Sequence, residues 1–396
     1  MTFGPFELPW WGVLTATLIF THLTMVSVTV YLHRNQAHRA MTLHPLVQWF
    51  FRFWLWMTTG MNTKEWVAVH RKHHAFVETE EDPHSPRVHG IKKVLLEGTE
   101  LYREAAHNEE VVTAYGHGTP DDWWEREMFT GRDMTGIISM LIVNLLAFGP
   151  IGLTVWAVQM AWTPVFAAGI INGAGHWRGY RNFETADNST NLMPWGILIA
   201  GEELHNNHHA FASSARFSNK PWEFDIGWFY IRILSSLRLA KVKKLAPIPC
   251  LDASKVVVDK ETLASLLGAQ WHVLADYGKQ VLSRVHREEL AGAAVETQQL
   301  LKRVKPLIVK NEQLLNEKQR NLLQMGLAEN ASLAKVYDFR ERLQSIFHER
   351  QASEENLLQQ LQNWCKHAEE SGIAALAEFA AVVRAYSLQP NKHLTA

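Results

Sequence analysis

Thiols are almost absent. Cys250 and Cys365 are the two cysteines among 396 residues, far apart and in no CxxC arrangement. A thiolate zinc site is therefore excluded and a disulfide framework has nothing to build on. Any metal must be held by nitrogen or oxygen. Net charge is missing as well: 39 Lys and Arg face 40 Asp and Glu, a balance with no sign of a polyanionic partner, so no nucleic acid is expected. Before Arg34 there is no Lys or Arg at all. Residues 10–32, "WWGVLTATLIFTHLTMVSVTVYL", hold no charged side chain over 23 positions, slightly more than the roughly 20 needed to cross a bilayer core. Without a basic residue before it or a small-residue cleavage site after it, the run reads as a retained span rather than a signal peptide. Arg34 and Arg39 follow at once, which places residue 33 in the cytoplasm.

What is abundant points to a membrane. Apolar residues make up 47% of the chain, and its 16 Trp are concentrated in the first 230 residues beside uncharged runs, where indoles suit a lipid interface. A second apolar stretch, 45–62, is interrupted by Arg52, which is expensive at a bilayer centre and marks a re-entrant or interfacial segment. Residues 134–150 and 151–174 are uncharged runs joined at Gly149, Pro150 and Gly152, the pattern of a hairpin that returns to its starting side. Residues 226–239, followed by Lys241, Lys243 and Lys244, read as an amphipathic helix on the cytoplasmic face. The expected architecture is all-α. A multi-pass membrane helical domain spans 1–247 in the cell membrane, with its histidine-rich cap and the C-terminus cytoplasmic. A soluble helical module follows over 248–396, behind a linker marked by Pro247 and Pro249.

In that module Ser353 is placed to cap a helix whose Leu357, Leu361, Trp364, Cys365 and Ala368 fall on one stripe. The closing stretch "LLQQLQNWCKHAEESGIAALAEFA" resembles helical C-terminal segments of some transposases. No acidic triad accompanies it, so it reads as a shared helical module rather than that activity.

Twenty histidines are present, and three clusters stand out: "HRNQAH" (His33, His38), "HRKHH" (His70, His73, His74) and "HNNHH" (His205, His208, His209). On a helix, positions i, i+3 and i+4 lie within about 100° of one another, so each HxxHH box aims three imidazoles at one volume. Its adjacent pair can diverge to two metal ions. HxxxxH is weaker, because i and i+5 do not share an α-helical face. Arg71 and Lys72 point elsewhere, free for a lipid headgroup, a substrate phosphate or an acidic electron donor. The other histidines, His84 among them, are isolated and read as core or surface. All clusters reach one side of a membrane if 10–32, 134–150 and 151–174 cross and 45–62 does not. Imidazole alone does not choose among iron, copper, nickel and zinc.

The order and spacing of the boxes, with "ETEEDPHSPR" (78–87) after the second and "GEELHNNHH" (201–209) at the third, resemble the integral-membrane fatty-acyl desaturases of the stearoyl-CoA (delta-9) type, in a bacterial-like form. The likeness covers roughly residues 11–247. It adds an N-x-x-x-H pair, Asn172 and His176. The resemblance implies two iron ions held by His33, His38, His70, His73, His74, His176, His205, His208 and His209, with Asn172 completing one sphere through water. It further implies an oxidoreductase that takes dioxygen as co-substrate and leaves a cis double bond in a saturated acyl-CoA or acyl-phospholipid chain. The haem-binding module of the vertebrate pattern is missing, so electrons are expected from an external ferredoxin-like donor or reductase. Asp82, Asp187, Glu202 and Glu203 stand beside the boxes as candidates to accept the second ring N–H of a ligating histidine. Arg71, Lys72 and Trp177 are candidates for headgroup contact. Trp54, Trp56, Trp66, Trp177, Trp195 and Trp222 are candidates to line an acyl tunnel. Two alternatives stay open: a related membrane di-iron lipid hydroxylase, and a metal-binding membrane sensor or scaffold.

Overall fold

A computed structural model describes residues 2–349 and 351–387, so residues 350 and 388–396 of the expected helical module lie outside the described residues. The chain divides into two compact units. One holds residues up to Arg181 with Asp187–Ala246, the other Asn182–Ala186 with residues from Pro247 onward. Both are built of helices, and the few strands are two or three residues long.

The first unit opens on α1 (Trp10–Ser27). Its Thr17, Thr24 and Ser27 hydroxyls donate to the carbonyls of Val13, Phe20 and Leu23, which satisfies them in apolar surroundings and loosens the i→i+4 ladder. From Val28 to Ala37 the helix continues in wide i→i+5 turns. Next come α2 (Pro45–Thr59), α3 (Thr63–Ala75), α4 (Ile91–Ala106) and α5 (Glu109–Tyr115). Arg52 is buried on α2 and is neutralised there by Asp122 at 2.7 Å and Glu125 at 2.8 Å.

The uncharged runs form the hairpin of α6 (Asp133–Phe148) and α7 (Gly152–Thr163), turning through Gly149–Ile151. Bonds from Gln159 Nε2 to Asn144 Oδ1 and from Trp156 Nε1 to the Ile137 carbonyl, both 3.1 Å, join the two arms. Gly152 makes the close approach possible: a Cβ there would fall 2.1 Å from the Asn144 carbonyl oxygen. Pro164 offers no N–H to the Met160 carbonyl, and beyond it the helix runs on to Ala174 in wide turns. Trp10–Ala37 and Asp133–Ala174 are long and apolar enough to cross a membrane by length and composition. Leu14, Leu18, Ile19, Ile138, Ile142, Leu146 and Leu153 stand uncovered on these helices.

Two short helices complete the unit, α8 (His205–Ala210) and α9 (Ile226–Ser236). An antiparallel ribbon ties Met41–Leu43 to Ala240–Val242. The second unit contains α10 (Lys260–Gly268), α11 (Gln270–Tyr277), α12 (Ser283–Gly292), α13 (Val295–Ile308), α14 (Glu317–Ala328), α15 (Ala331–His348), α16 (Glu354–Glu369) and α17 (Ala374–Ala385). Ser353 Oγ caps α16 by accepting the Asn356 N–H, and Leu357, Leu361, Trp364, Cys365 and Ala368 are its buried stripe, as their spacing predicts. Trp364 also donates its indole N–H to the Phe339 carbonyl at 2.8 Å.

Gly152→Val should wedge the hairpin open at a cost of about 1–3 kcal/mol or more. A thermal melt of the solubilised chain is expected to show a lower midpoint for this variant and none for Gly268→Ala, where a Cβ meets nothing within 4 Å.

Candidate metal centre

Four separate stretches deliver the histidines. His33 lies in the wide turns after α1, and His38 closes them by donating its backbone N–H to the His33 carbonyl, an i→i+5 bond of 3.1 Å. This changes the expectation for HxxxxH. In a wide-turn helix i and i+5 do share a face, and the His33 and His38 rings lie 4.9 Å apart. The second box occupies the last two turns of α3, whose first turn is capped by Asn62. His176 follows the wide turns of Pro164–Ala174. The third box is α8 itself, six residues long and too short to persist alone. Its Asn207 is held from both sides: the backbone N–H donates to Asn191 Oδ1, and the side-chain amide donates to Glu223 Oε2 at 2.8 Å.

Nine imidazoles gather into two groups. His33, His38, His70, His74 and His208 form one, and His73, His176, His205 and His209 the other, with ligand atoms in each within 4.8 Å of one another. Each HxxHH box is divided between them, which sharpens the expectation of three rings in one volume. The i and i+4 rings of the second box (His70, His74) join the first group and its i+3 ring (His73) the second; the third box does the reverse. Nε2 atoms face each other at 3.1 Å for His33 and His208, 2.8 Å for His38 and His70, 2.9 Å for His74 and His208, and 2.9 Å for His176 and His205.

Carboxylates sit behind the rings. Glu202 accepts from His33 Nδ1 at 2.7 Å, Asp82 from His73 Nδ1 at 2.9 Å, Asp187 from His209 Nδ1 at 3.2 Å and Glu78 from His176 Nδ1 at 3.3 Å. A proton held on Nδ1 leaves the Nε2 lone pair facing inward, the tautomer that binds a metal. Burial works to raise all four carboxyls, but the imidazoles they face outweigh it and hold each below its ordinary range. Burial pushes His38, His70, His74, His205 and His208 well below the usual imidazole value, and His209 down to about 4. Imidazoles with converging lone pairs are a donor set for a divalent first-row transition metal. Arg34, fully buried beside His33, fixes this end of the long helix with a bidentate pair to Asp225 at 2.9 and 3.1 Å. Gly201, at φ +102°, leaves room for that pair, since a Cβ would strike Asp225 Oδ1 at 2.4 Å.

Several expectations change. Glu203 does not face a histidine; it accepts the backbone N–H groups of Ile199 and Gly201 and so shapes the turn before α8. Arg71 is not free: its guanidinium donates to the carbonyls of Gln36, Ala37, Tyr115 and His117, tying α3 to the segment that carries His38. Lys72 is half-buried, and Trp177 is exposed under the Arg87 guanidinium, 4.8 Å away. Asn172 is half-buried on the wide-turn helix and makes no side-chain hydrogen bond among the described residues. Of the six tryptophans, Trp66 stacks on His70 at 4.9 Å, Trp54 and Trp56 spend their N–H groups on Thr24 and Arg132, and Trp195 and Trp222 are exposed. They do not form one lining. Two residues went unread in the sequence. Glu78, 98 positions from His176, carries no local signal beyond opening "ETEEDPHSPR". His84, two residues after Asp82, is buried and stacks on His73 at 4.4 Å, and the two rings form a third compact group with Asp82.

A pH dependence follows. Imidazoles whose folded pKa lies below the ordinary 6.5 leave the unfolded chain binding more protons in acid, so stability rises with pH. The metal-free chain is therefore expected to be most stable above pH 6.5 and to lose melting temperature steadily as the pH falls from 6.5 toward 4. A flat midpoint across that window, read by differential scanning fluorimetry, would contradict the burial of these rings.

Comparison with known proteins agrees with this geometry. The family model described as fatty acid desaturase matches residues 8–223, more than half of the chain. A second model, described as transposase, matches residues 256–389, in the region of the helical module. The chain is 30% identical over 234 residues to delta-9 acyl-lipid desaturase 2 of Arabidopsis thaliana, covering 58% of this chain and 74% of the relative. It is 30% identical over 246 residues to the sn-1 stearoyl-lipid 9-desaturase of Anabaena variabilis, covering 62% and 88%. An acyl-CoA 5-desaturase of Anemone leveillei is 29% identical over 254 residues, covering 60% and 73%. With the histidine boxes, the divided ligand groups and this match together, the chain belongs to the fatty acid desaturase family.

Proposed function

We propose that the two histidine groups hold two iron ions and that the enzyme places a cis double bond in a saturated acyl chain carried by a membrane lipid. The observation that supports this most is the donor set: nine buried or half-buried imidazoles in two groups, with each HxxHH box shared between them. A lipid-borne chain is favoured over acyl-CoA because relatives at 30% identity from a plant and a cyanobacterium are named for acyl-lipid substrates. The membrane reading has three crossings, within Trp10–Ala37 and the two arms of Asp133–Ala174, with α2 interfacial and the histidines, both termini of the ligand stretches and the second unit on the cytoplasmic side. Arg52, paired with Asp122 and Glu125, fits a helix that does not pass through the bilayer centre.

When bound, the iron pair supplies the oxidising power to take two hydrogens from adjacent methylenes, with dioxygen and two electrons from an external donor ending as water. The chain's own part is to hold the site. Glu78, Asp82, Asp187 and Glu202 keep Nδ1 protonated and Nε2 aimed inward. Asn172, four residues before His176 and without a side-chain hydrogen bond among the described residues, would supply a further oxygen donor toward one metal. Arg71 and the Arg34–Asp225 pair fix the stretches that carry His38 and His33.

His73→Ala and His208→Ala each strip one ligand from a different group. Expressed in a desaturase-deficient host, both should reduce unsaturated product on gas chromatography at least 100-fold, a loss of about 2.7 kcal/mol or more. Asp82→Asn should lower iron content by about 10–100-fold at equal expression. Undiminished alkene from the ligand variants sinks the desaturase reading. A hydroxylated chain from the wild type would make the enzyme a hydroxylase, and metal binding without dioxygen consumption would make it a sensor.

A further inference from the structure

Helix α9 leaves one face uncovered. Phe229, Ile233 and Leu237 are exposed at four-residue intervals along it, and Trp222, Phe224 and Trp195 are exposed beside its start, where Trp195–Gly196 pairs with Phe224–Asp225. Arg232 lies on the helix beside this stripe and four cations follow its end: Arg232, Arg238, Lys241, Lys243 and Lys244 are exposed and make no side-chain hydrogen bond or ion pair among the described residues. The carboxylates of the same stretch are turned inward. Glu223 accepts from the Tyr180 hydroxyl and Asn207, and Asp225 is held by Arg34. The surface therefore carries five uncompensated positive charges among six large apolar side chains.

The face cannot swing inward. α9 is fastened to the long first helix at two levels, by the His22 ring on the Tyr230 hydroxyl at 3.0 Å and by the Arg34–Asp225 pair. It also continues onto α2, because His44 donates its N–H to the Leu239 carbonyl at 2.8 Å and Leu46 and Phe50 stand exposed next in sequence.

We propose that this face is a binding surface for anionic phospholipid, with the apolar stripe sunk to the acyl boundary and the five cations on headgroup phosphates. The proposal rests on the membrane reading above. An exposed apolar stripe on a helix, with one cation beside it and four more in the twelve residues that follow Arg232, is what a headgroup layer satisfies. An acidic protein would meet the charges and leave the stripe wet. Juxtamembrane Lys and Arg are attracted to anionic leaflets in this way.

The full chain, reconstituted in vesicles of equal phosphatidylcholine and phosphatidylglycerol and re-extracted in mild detergent, is assayed for retained lipid by mass spectrometry. Wild type should hold phosphatidylglycerol about threefold or more above its bulk share. The combined variant Arg232→Gln, Arg238→Gln, Lys241→Gln, Lys243→Gln, Lys244→Gln should fall to the bulk ratio, while Lys241→Arg, Lys243→Arg, Lys244→Arg keeps the enrichment and shows that the fold survives changes there. Bulk-ratio retention by the wild type, or enrichment that persists in the glutamine variant, overturns the proposal. So does a glutamine variant that loses only electron transfer from an acidic donor, which would assign the cations to a protein. Alkaline carbonate extraction separates this from the spans: release of the wild type removes the spans, and enrichment in vesicle flotation then still decides the face.

Discussion

Imidazole lone pairs that converge on one point repel one another until a cation sits among them, and this chain holds five in one group and four in another within 4.8 Å. Nothing in a hydrophobic core asks for that arrangement. The rest of the first unit is arranged to impose it. Carboxylates at the back of His33, His73, His176 and His209 fix where each proton sits, so that the repulsion is concentrated at the front. Burial pushes His38, His70, His74, His205, His208 and His209 toward the neutral form, since a charged imidazole is poorly solvated there.

Two departures from regular helix make the convergence possible. The long first helix reaches the site in i→i+5 turns, and the return arm of the hairpin does so as well after Pro164. Each widening rotates the terminal residues relative to an α-helix, which brings His38 under His33. The upstream hydroxyls and the proline that loosen the ladder are ordinary chemistry put where the site needs freedom. Buried charge follows the same logic: Arg34 is paired with buried Asp225, and Arg52 with buried Glu125 and exposed Asp122. Breaking such a pair would strand an uncompensated ion. Around α9 the opposite holds: Glu223 and Asp225 before it are turned in, and Arg232 on it and the four cations after it are exposed.

Sequence alone settled what chemistry was available. Few thiols, three histidine boxes and uncharged runs of membrane length pointed to nitrogen ligands for a metal and to helices long enough to cross a membrane, and box order carried the family resemblance. The local signals that worked were those with a fixed period: HxxHH on α3, the Ser353 cap and stripe of α16, the Gly-Pro-Gly turn of the hairpin. Partners remote in the chain left no such mark. Glu78 reaches His176 across 98 residues, Arg71 spends its guanidinium on four carbonyls, and His84 looked isolated because stacking on His73 has no spacing rule. The division of each box between two groups, and the sharing of a face by His33 and His38, were decided only by tertiary structure. Side-chain direction depends on the helical pitch and on what packs behind each ring, and neither is written in the interval between two histidines.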